Sequence, residues 1–415
     1  VIHCSATCED RPFTGQALEA AHRRRIFPAL ANKNYRIFWT TQWVALIGFW
    51  LQLTAQQWLV YTMTDSALLL GLLAAFQFSP SLFFTIGAGL WIDRHNKRKI
   101  LMATQFCYMV QTALLGLLLW TGLATYPWIL FFAFLMGTID AFDMPARLAF
   151  MPELVGPQAL HSAISLNSAN FNLTRMIGPP LAAFLLPYLS YSSLFFLNAL
   201  SLIPFFLAYG SINVNSVIPE QKEERHPLEE IRRGLREARR NPIIFKNLLA
   251  AGLVSALILN MGTYGPIFAD RVLQDGISGF SSILFAAGLG SMLAGILSGA
   301  SHKNAPQKLI FLMAVLCGVL LASLGFISSF PVAVIIFTLL GAVTILFMVN
   351  CNTAIQTATP PDLLGRIMSL YTLVFLGCAP FGALFVSFII EYLDISRGLT
   401  AVGILEVLMI LLVKG

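Results

Sequence analysis

The sequence predicts an all-α membrane protein: twelve transmembrane helices arranged as two six-helix repeats of the same orientation. Three observations predict it. The 415 residues are 57% hydrophobic and only 11% charged, with a mean hydropathy of +0.76, whereas a soluble domain needs far more surface charge. Twelve apolar runs approach or exceed the roughly 20 residues that cross a hydrocarbon core of about 30 Å. The basic residues between those runs gather on one side.

In order, a polar segment 1–34 carries Arg23-Arg24-Arg25 and has no cleavable signal pattern. The first six runs are 37–63, 67–92, 100–122, 126–150, 162–187 and 191–213, and they define an N-terminal bundle, 35–214. The polar stretch 215–243 links it to a C-terminal bundle, 244–415, with runs 244–268, 277–300, 307–328, 331–355, 364–390 and 397–413. The last run is the shortest. The missing initial Met and the end at Lys414-Gly415, right after an apolar run, are consistent with a fragment or a trimmed chain.

One side holds 23 of the 26 Lys and Arg residues and the other only Arg271 and Arg397, with Arg175 left inside a run. The positive-inside rule then places both termini in the cytoplasm and the chain in the inner (cytoplasmic) membrane. Within the linker, HPLEEIRRGLREARRNP puts Pro227 at a helix start, Glu229 and Glu230 at its positive end and Arg239-Arg240 at its negative end. Leu228, Ile231 and Leu235 share a face, so this helix lies on the inner leaflet or stays solvated.

A shift of 204 residues overlays runs 4–5 on runs 10–11. Gly137 then falls on Gly341, Ser165 on Ser369, Leu166 on Leu370 and Gly178 on Gly382. A parallel repeat follows. No nucleic-acid partner is expected despite the net charge of +6, because the cations sit in loops. Cys107, Cys317, Cys351 and Cys378 read as packing residues. His3, Cys4 and Cys8 lack metal-site spacing, so neither metal nor cofactor is expected. Walker A, HExxH and GxSxG motifs are absent, so this is no enzyme, and any transport runs on a gradient.

Charges inside a bilayer are costly and by default point to function. Asp140, Asp143 and Arg147 share one face of run 4, and Asp143 and Arg147 stand four apart, close enough to pair. Arg175, in run 5, lies within about 6 Å of Asp140 in depth. An Asp140–Arg175 pair is expected, either a proton-linked pair in the cavity or a packing salt bridge. Glu406, in the last run, reads as peripheral and lipid-facing. Gln52 and Gln56 form a stripe with Gly48; with Asn167, Asn170, Asn260, Tyr264 and Asn350 they are candidates to line a central cavity, each also readable as an interhelical hydrogen bond. Ala287, Ser291, Gly295 and Gly299 form a small-residue ridge suited to packing. The Met and aromatic content suits an amphipathic ligand.

Between runs 2 and 3, Gly89-x-x-x-Asp93-Arg94-x-x-x-Arg98-Lys99 resembles the loop 2–3 signature of the major facilitator superfamily, with Trp91 where Leu is preferred. Gly178-Pro179-x-x-Ala182-Ala183 resembles the fifth-span motif of drug/proton antiporters, with Ala for both final glycines. Segments 34–71, 141–155, 164–186 and 365–377 are similar to the enterobactin-exporter-like permeases grouped with macrolide and other drug exporters. The resemblance implies alternating access, proton exchange and export of small amphipathic molecules by a monomer in the lipid bilayer. It assigns Gly89, Asp93, Arg94 and Arg98 to a cytoplasmic latch, with Asp143 and Arg147 as further partners. A lipid or lysolipid flippase of the same fold, and a non-transporting receptor or scaffold, are the alternatives.

Overall fold

The computed structural model describes residues 27–212, 235–300, 305–360 and 363–414, with the side chains of 85, 86, 90, 93, 299 and 300 also outside the description. The expectations for segment 1–34 up to residue 26, for Cys4 and Cys8, for Leu228 and Ile231 and for the Asp93 side chain therefore lie outside the described residues.

Among the described residues, twelve helices cross the molecule. They are α1 (Lys33–Thr64), α2 (Ala67–Asp93), α3 (Lys97–Trp120), α4 (126–155), α5 (157–185), α6 (Tyr191–Ser211), a broken α7 (Pro242–Leu257 and Met261–Ile267), α8 (Gly276–Ala300), α9 (Gln307–Leu324), α10 (Phe330–Ala358), α11 (Leu364–Leu393) and α12 (Ile395–Lys414). Among the described residues there is no strand. Asn32, Ser66, Asn96, Ser190 and Asn241 each accept backbone N–H bonds at a helix start, which satisfies donors the helix leaves orphaned.

Run 5 begins earlier than the sequence suggests. The polar stretch between α4 and α5 stays helical and turns only at Gly156, whose φ of 72° and ψ of 171° suit a residue without a Cβ. α7 breaks after Leu257, and its far end is a π-turn, Phe268–Val272. α1 falls below the hydropathy of the other crossing helices. Its Gln42, Gln52 and Gln56 are buried within the protein, so it need not be apolar. The described end of the linker, 235–240, is helical, with Leu235 and Ala238 packed on the protein core.

The helix pairings repeat after six helices. α1 packs on α5, α2 on α4 and α3 on α6; α7 packs on α11, α8 on α10 and α9 on α12. Across the two sets, α2 meets α11 and α5 meets α8. The glycines of the 204-residue repeat sit at equivalent crossings. A Cβ on Gly137 would lie 1.8 Å from the Gln77 carbonyl oxygen of α2, and one on Gly341 2.1 Å from the Ala287 carbonyl oxygen of α8. Gly178 meets Trp50 of α1, and Gly382 meets Ala256 of α7. Of the α8 ridge, Ala287 and Ser291 contact α10 through Gly341, whereas Gly295 faces open space. Cys317 and Cys351 are buried as packing residues, but Cys107 is exposed.

Candidate functional site

The polar centre of the first six helices lies between α3 and α4. Asp143 is 3% exposed and accepts from Thr104 Oγ1 at 2.7 Å and Gln105 Nε2 at 2.8 Å. Arg147, one turn on, donates to its other oxygen, as the four-residue spacing predicts. The Arg147 guanidinium also rests over the Phe205 ring of α6, 5.3 Å from its centroid. Asp140, one turn the other way, accepts from the Tyr108 hydroxyl of α3. The result is a polar ladder: Thr104, Gln105 and Tyr108 on one helix, Asp140, Asp143 and Arg147 on the other. The α3 residues were visible as polar positions in an apolar run, but nothing in one chain of letters says which span they face.

The expected Asp140–Arg175 pair does not form. The two match in depth, but Asp140 turns to α3, while Arg175 lies over the Trp50 ring of α1, 5.7 Å from its centroid. Depth along a helix does not set direction around it. Glu406 is likewise not lipid-facing. It is 0% exposed on α12, against the α9 surface at Gly318, and neither carboxyl oxygen has a hydrogen-bond partner among the described residues.

The amides expected in one cavity are spread through the helix packing, and most of them bond within their own bundle. Gln52 accepts from Thr112 of α3 and Asn198 of α6, and Gln56 is buried. Asn167 accepts from Gln42 of α1 at 2.9 Å, and Asn170 donates to the Trp39 carbonyl at 3.4 Å. Asn260 stands at the break in α7 and donates back to Ala256. Tyr264 is fully buried, 3.4 Å from the Ile258 carbonyl. Asn350 lines an open groove of about 300 Å³ with Gln307, Thr353 and Thr357.

In the loop after α2, Gly89 meets open space, Trp91 stacks on His95 with centroids 4.5 Å apart, and Arg94 is exposed. Arg98 turns away from the loop. It donates to the Tyr209 and Gly210 carbonyls at the C-terminal end of α6, where a cation complements the helix dipole. Its neighbour Lys97, not singled out from the sequence, is buried in an ion pair with Glu153 of α4 at 2.7 Å. Pro179, beside Gly178, is buried in α5.

At the opposite end, three contacts the sequence did not suggest cross between the six-helix sets. Arg271, in the π-turn of α7, pairs with Asp65 after α1 at 2.8 Å. Tyr61 of α1 donates to Asp270 at 2.7 Å. Glu391 of α11 accepts from the backbone N–H groups of Ala67 and Leu68 and from the Ser66 hydroxyl, so it caps α2 from the other set. Asp65, Ala67, Arg271 and Glu391 line an open groove of about 350 Å³ with Asp394 and Arg397.

The fold is that of known carriers. A bacterial homologue of the human lysosomal transporter Spinster, in an inward-facing and unoccupied conformation, superposes with a TM-score of 0.71 at 14% identity, over 92% of this chain and 94% of that one. The nucleoside transporter NupG superposes with a TM-score of 0.76 at 9% identity, over 92% and 98%. By sequence, the staphyloferrin A transporter of Staphylococcus aureus is 22% identical over 378 residues, 89% of this chain and 92% of the relative. The enterobactin exporter EntS of Shigella boydii is 25% identical over 344 residues, 81% and 80%. The transmembrane secretion effector family matches residues 25–414. With that match across nearly the whole chain, on twelve helices in two parallel repeats, the chain belongs to the transmembrane secretion effector family of major facilitator transporters.

Proposed function

We propose that this chain exports small amphipathic molecules of the siderophore type from the cytoplasm in exchange for protons. In this reading bundles 35–214 and 244–415, joined through 215–243, rock about the substrate. The end carrying the loop after α2 faces the cytoplasm, because that side holds nearly all the Lys and Arg. The substrate class comes from the relatives' names, a staphyloferrin A transporter and an enterobactin exporter.

The observation that carries the coupling is the charged ladder of α3 and α4, since charge inside a membrane is kept at a cost. Its two carboxylates differ. Asp143 is engaged by a cation and two further donors. Asp140 has one neutral donor and makes no ion pair among the described residues. It is the carboxyl that can take up and release a proton without breaking an ion pair. Tyr108 would hold it in place in either state, donating to the carboxylate or accepting from the acid.

The test is transport of a siderophore panel into everted vesicles under an imposed pH gradient. Asp140→Asn is expected to abolish gradient-driven accumulation while leaving counterflow exchange of bound substrate. Accumulation at the wild-type rate per molecule in Asp140→Asn would overturn the coupling role.

A further inference from the structure

Among the described residues, Arg175 is a cation without an anion. Helix α5 runs 157–185, and Arg175 lies about 6 Å past its middle residue, deep in the apolar part of the molecule. Among the described residues it makes no ion pair, and every carboxylate of the inner spans is directed elsewhere. Asp140 turns to Tyr108, Asp143 to Arg147 and the α3 donors, and Glu406 lies in the α9–α12 contact. A charge this deep is expensive unless something compensates it.

The direction in which it points follows from its own helix. Asn170 and Gly178 mark the α1 flank of α5, and Met176, against Gly288, marks the α8 flank. Ile177, Phe184 and Leu173 share one of the two faces between these flanks, and that face is apolar, as suits lipid. At about 100° per residue, Arg175 points the opposite way, together with Ser168, Phe171 and Asn172. That face carries polar groups and lies between α1 of one bundle and α8 of the other. The guanidinium is positioned by Trp50, whose ring it covers and which also packs T-shaped against Phe49 and Phe171, with ring centroids 5.3 and 5.4 Å away. The Trp50 indole N–H is buried and has no acceptor among the described residues. The place therefore offers a cation, an unused N–H donor and aromatic surface, and no acceptor of its own at the guanidinium.

We infer that Arg175, Trp50 and Phe171 form the subsite for an anionic group, a carboxylate or phenolate next to a flat unsaturated system, on the transported molecule. This deepens the export reading and rests on it for the identity of the ligand as cargo. A planar guanidinium suits an oxyanion through two parallel hydrogen bonds. A neutral amphiphile would leave the half-buried charge uncompensated, so the subsite discriminates by charge rather than by shape.

Calorimetric titration of the purified protein in lipid nanodiscs with 1-naphthoate and its neutral counterpart 1-naphthamide tests this. The wild type is expected to bind naphthoate at least about tenfold more tightly than naphthamide. Arg175→Gln should abolish that preference without lowering the thermal midpoint, since it removes an unpaired charge, and Arg175→Lys should keep part of it. Trp50→Phe should weaken naphthoate more than naphthamide. Absent naphthoate binding, equal affinities in the wild type, a preference surviving in Arg175→Gln, or a lower midpoint in that variant would each overturn the subsite. Failed siderophore transport with the charge preference intact would remove the export reading and leave the subsite standing. Intact transport with no preference would do the reverse.

Discussion

The two ends of the molecule use similar chemistry in opposite ways. At the end of the α2–α3 loop, Lys97–Glu153, Arg98 with the end of α6, and Asp143 with Thr104 and Gln105 of α3 tie helices of the first bundle to one another. At the other end, Arg271–Asp65, Tyr61–Asp270 and Glu391 with the start of α2 tie the first bundle to the second. Burial differs with them. The Lys97 and Glu153 side chains are 8% and 14% exposed, those of Arg271 and Asp65 43% and 76%. A buried pair costs much to break, whereas an exposed pair contributes about 0–1 kcal/mol. Strong ties thus sit inside a bundle and weak ones between bundles. In a carrier of the proposed kind, this lets each bundle move as a rigid body and lets the closed outer end open without a large barrier.

The largest effect should come from breaking a tie inside the bundle. Lys97→Met leaves the Glu153 carboxylate buried without its cation and should lower stability by about 3–5 kcal/mol, read as a drop in the thermal midpoint of purified protein. The double variant Lys97→Met/Glu153→Leu should recover most of the loss, because it removes both charges. If Lys97→Met is as stable as the wild type, this end is not held as argued.

What could be read from the sequence, and what could not, divides along similar lines. Contacts between residues close in sequence were legible: Asp143 and Arg147 pair as their spacing predicts. The repeat was legible too, and its glycines prove to be close helix crossings at matching places. Contacts that depend on the direction a residue faces around its helix were not. Asp140 and Arg175 agreed in depth yet point to different neighbours, and Glu406, placed at the lipid, is fully buried. The outer ties join residues more than 200 positions apart, and no local pattern pairs Asp65 with Arg271 or Glu391 with the start of α2.

Glu391 separates the two ends more finely, since its carboxylate caps a helix of the other bundle. Glu391→Gln keeps an acceptor oxygen for Ala67 but removes the charge from the positive end of α2. The loss should be about 0.5–1 kcal/mol. Spin labels on Met63 and Ile277, in the first and second bundles, should report a larger share of molecules with that end apart. Thermal stability should barely change, in contrast with Lys97→Met. An equal fall in thermal midpoint for both variants would erase the distinction between a tie that holds a bundle and one that holds a state.

The smallest effect belongs to Arg271→Ala. The pair is exposed, its long side chain gives up conformational freedom to hold one geometry, and salt screens it. Even so, the whole contribution bears on one equilibrium, because the pair joins the bundles and does nothing within either. A loss of about 0.8 kcal/mol would shift that equilibrium about fourfold toward the outer-open form. Asp65→Ala should do less, because Arg271 also donates to the Asp65 backbone carbonyl, and the double variant should match Arg271→Ala. Raising the salt concentration should move the wild type toward the variants and leave the variants where they are. The same pair of spin labels, compared at low and high salt, measures this directly. If salt shifts Arg271→Ala as much as the wild type, the salt-sensitive contact at that end is not this pair. Its remaining ties, Tyr61 with Asp270 and Glu391 with the start of α2, would then carry the closure.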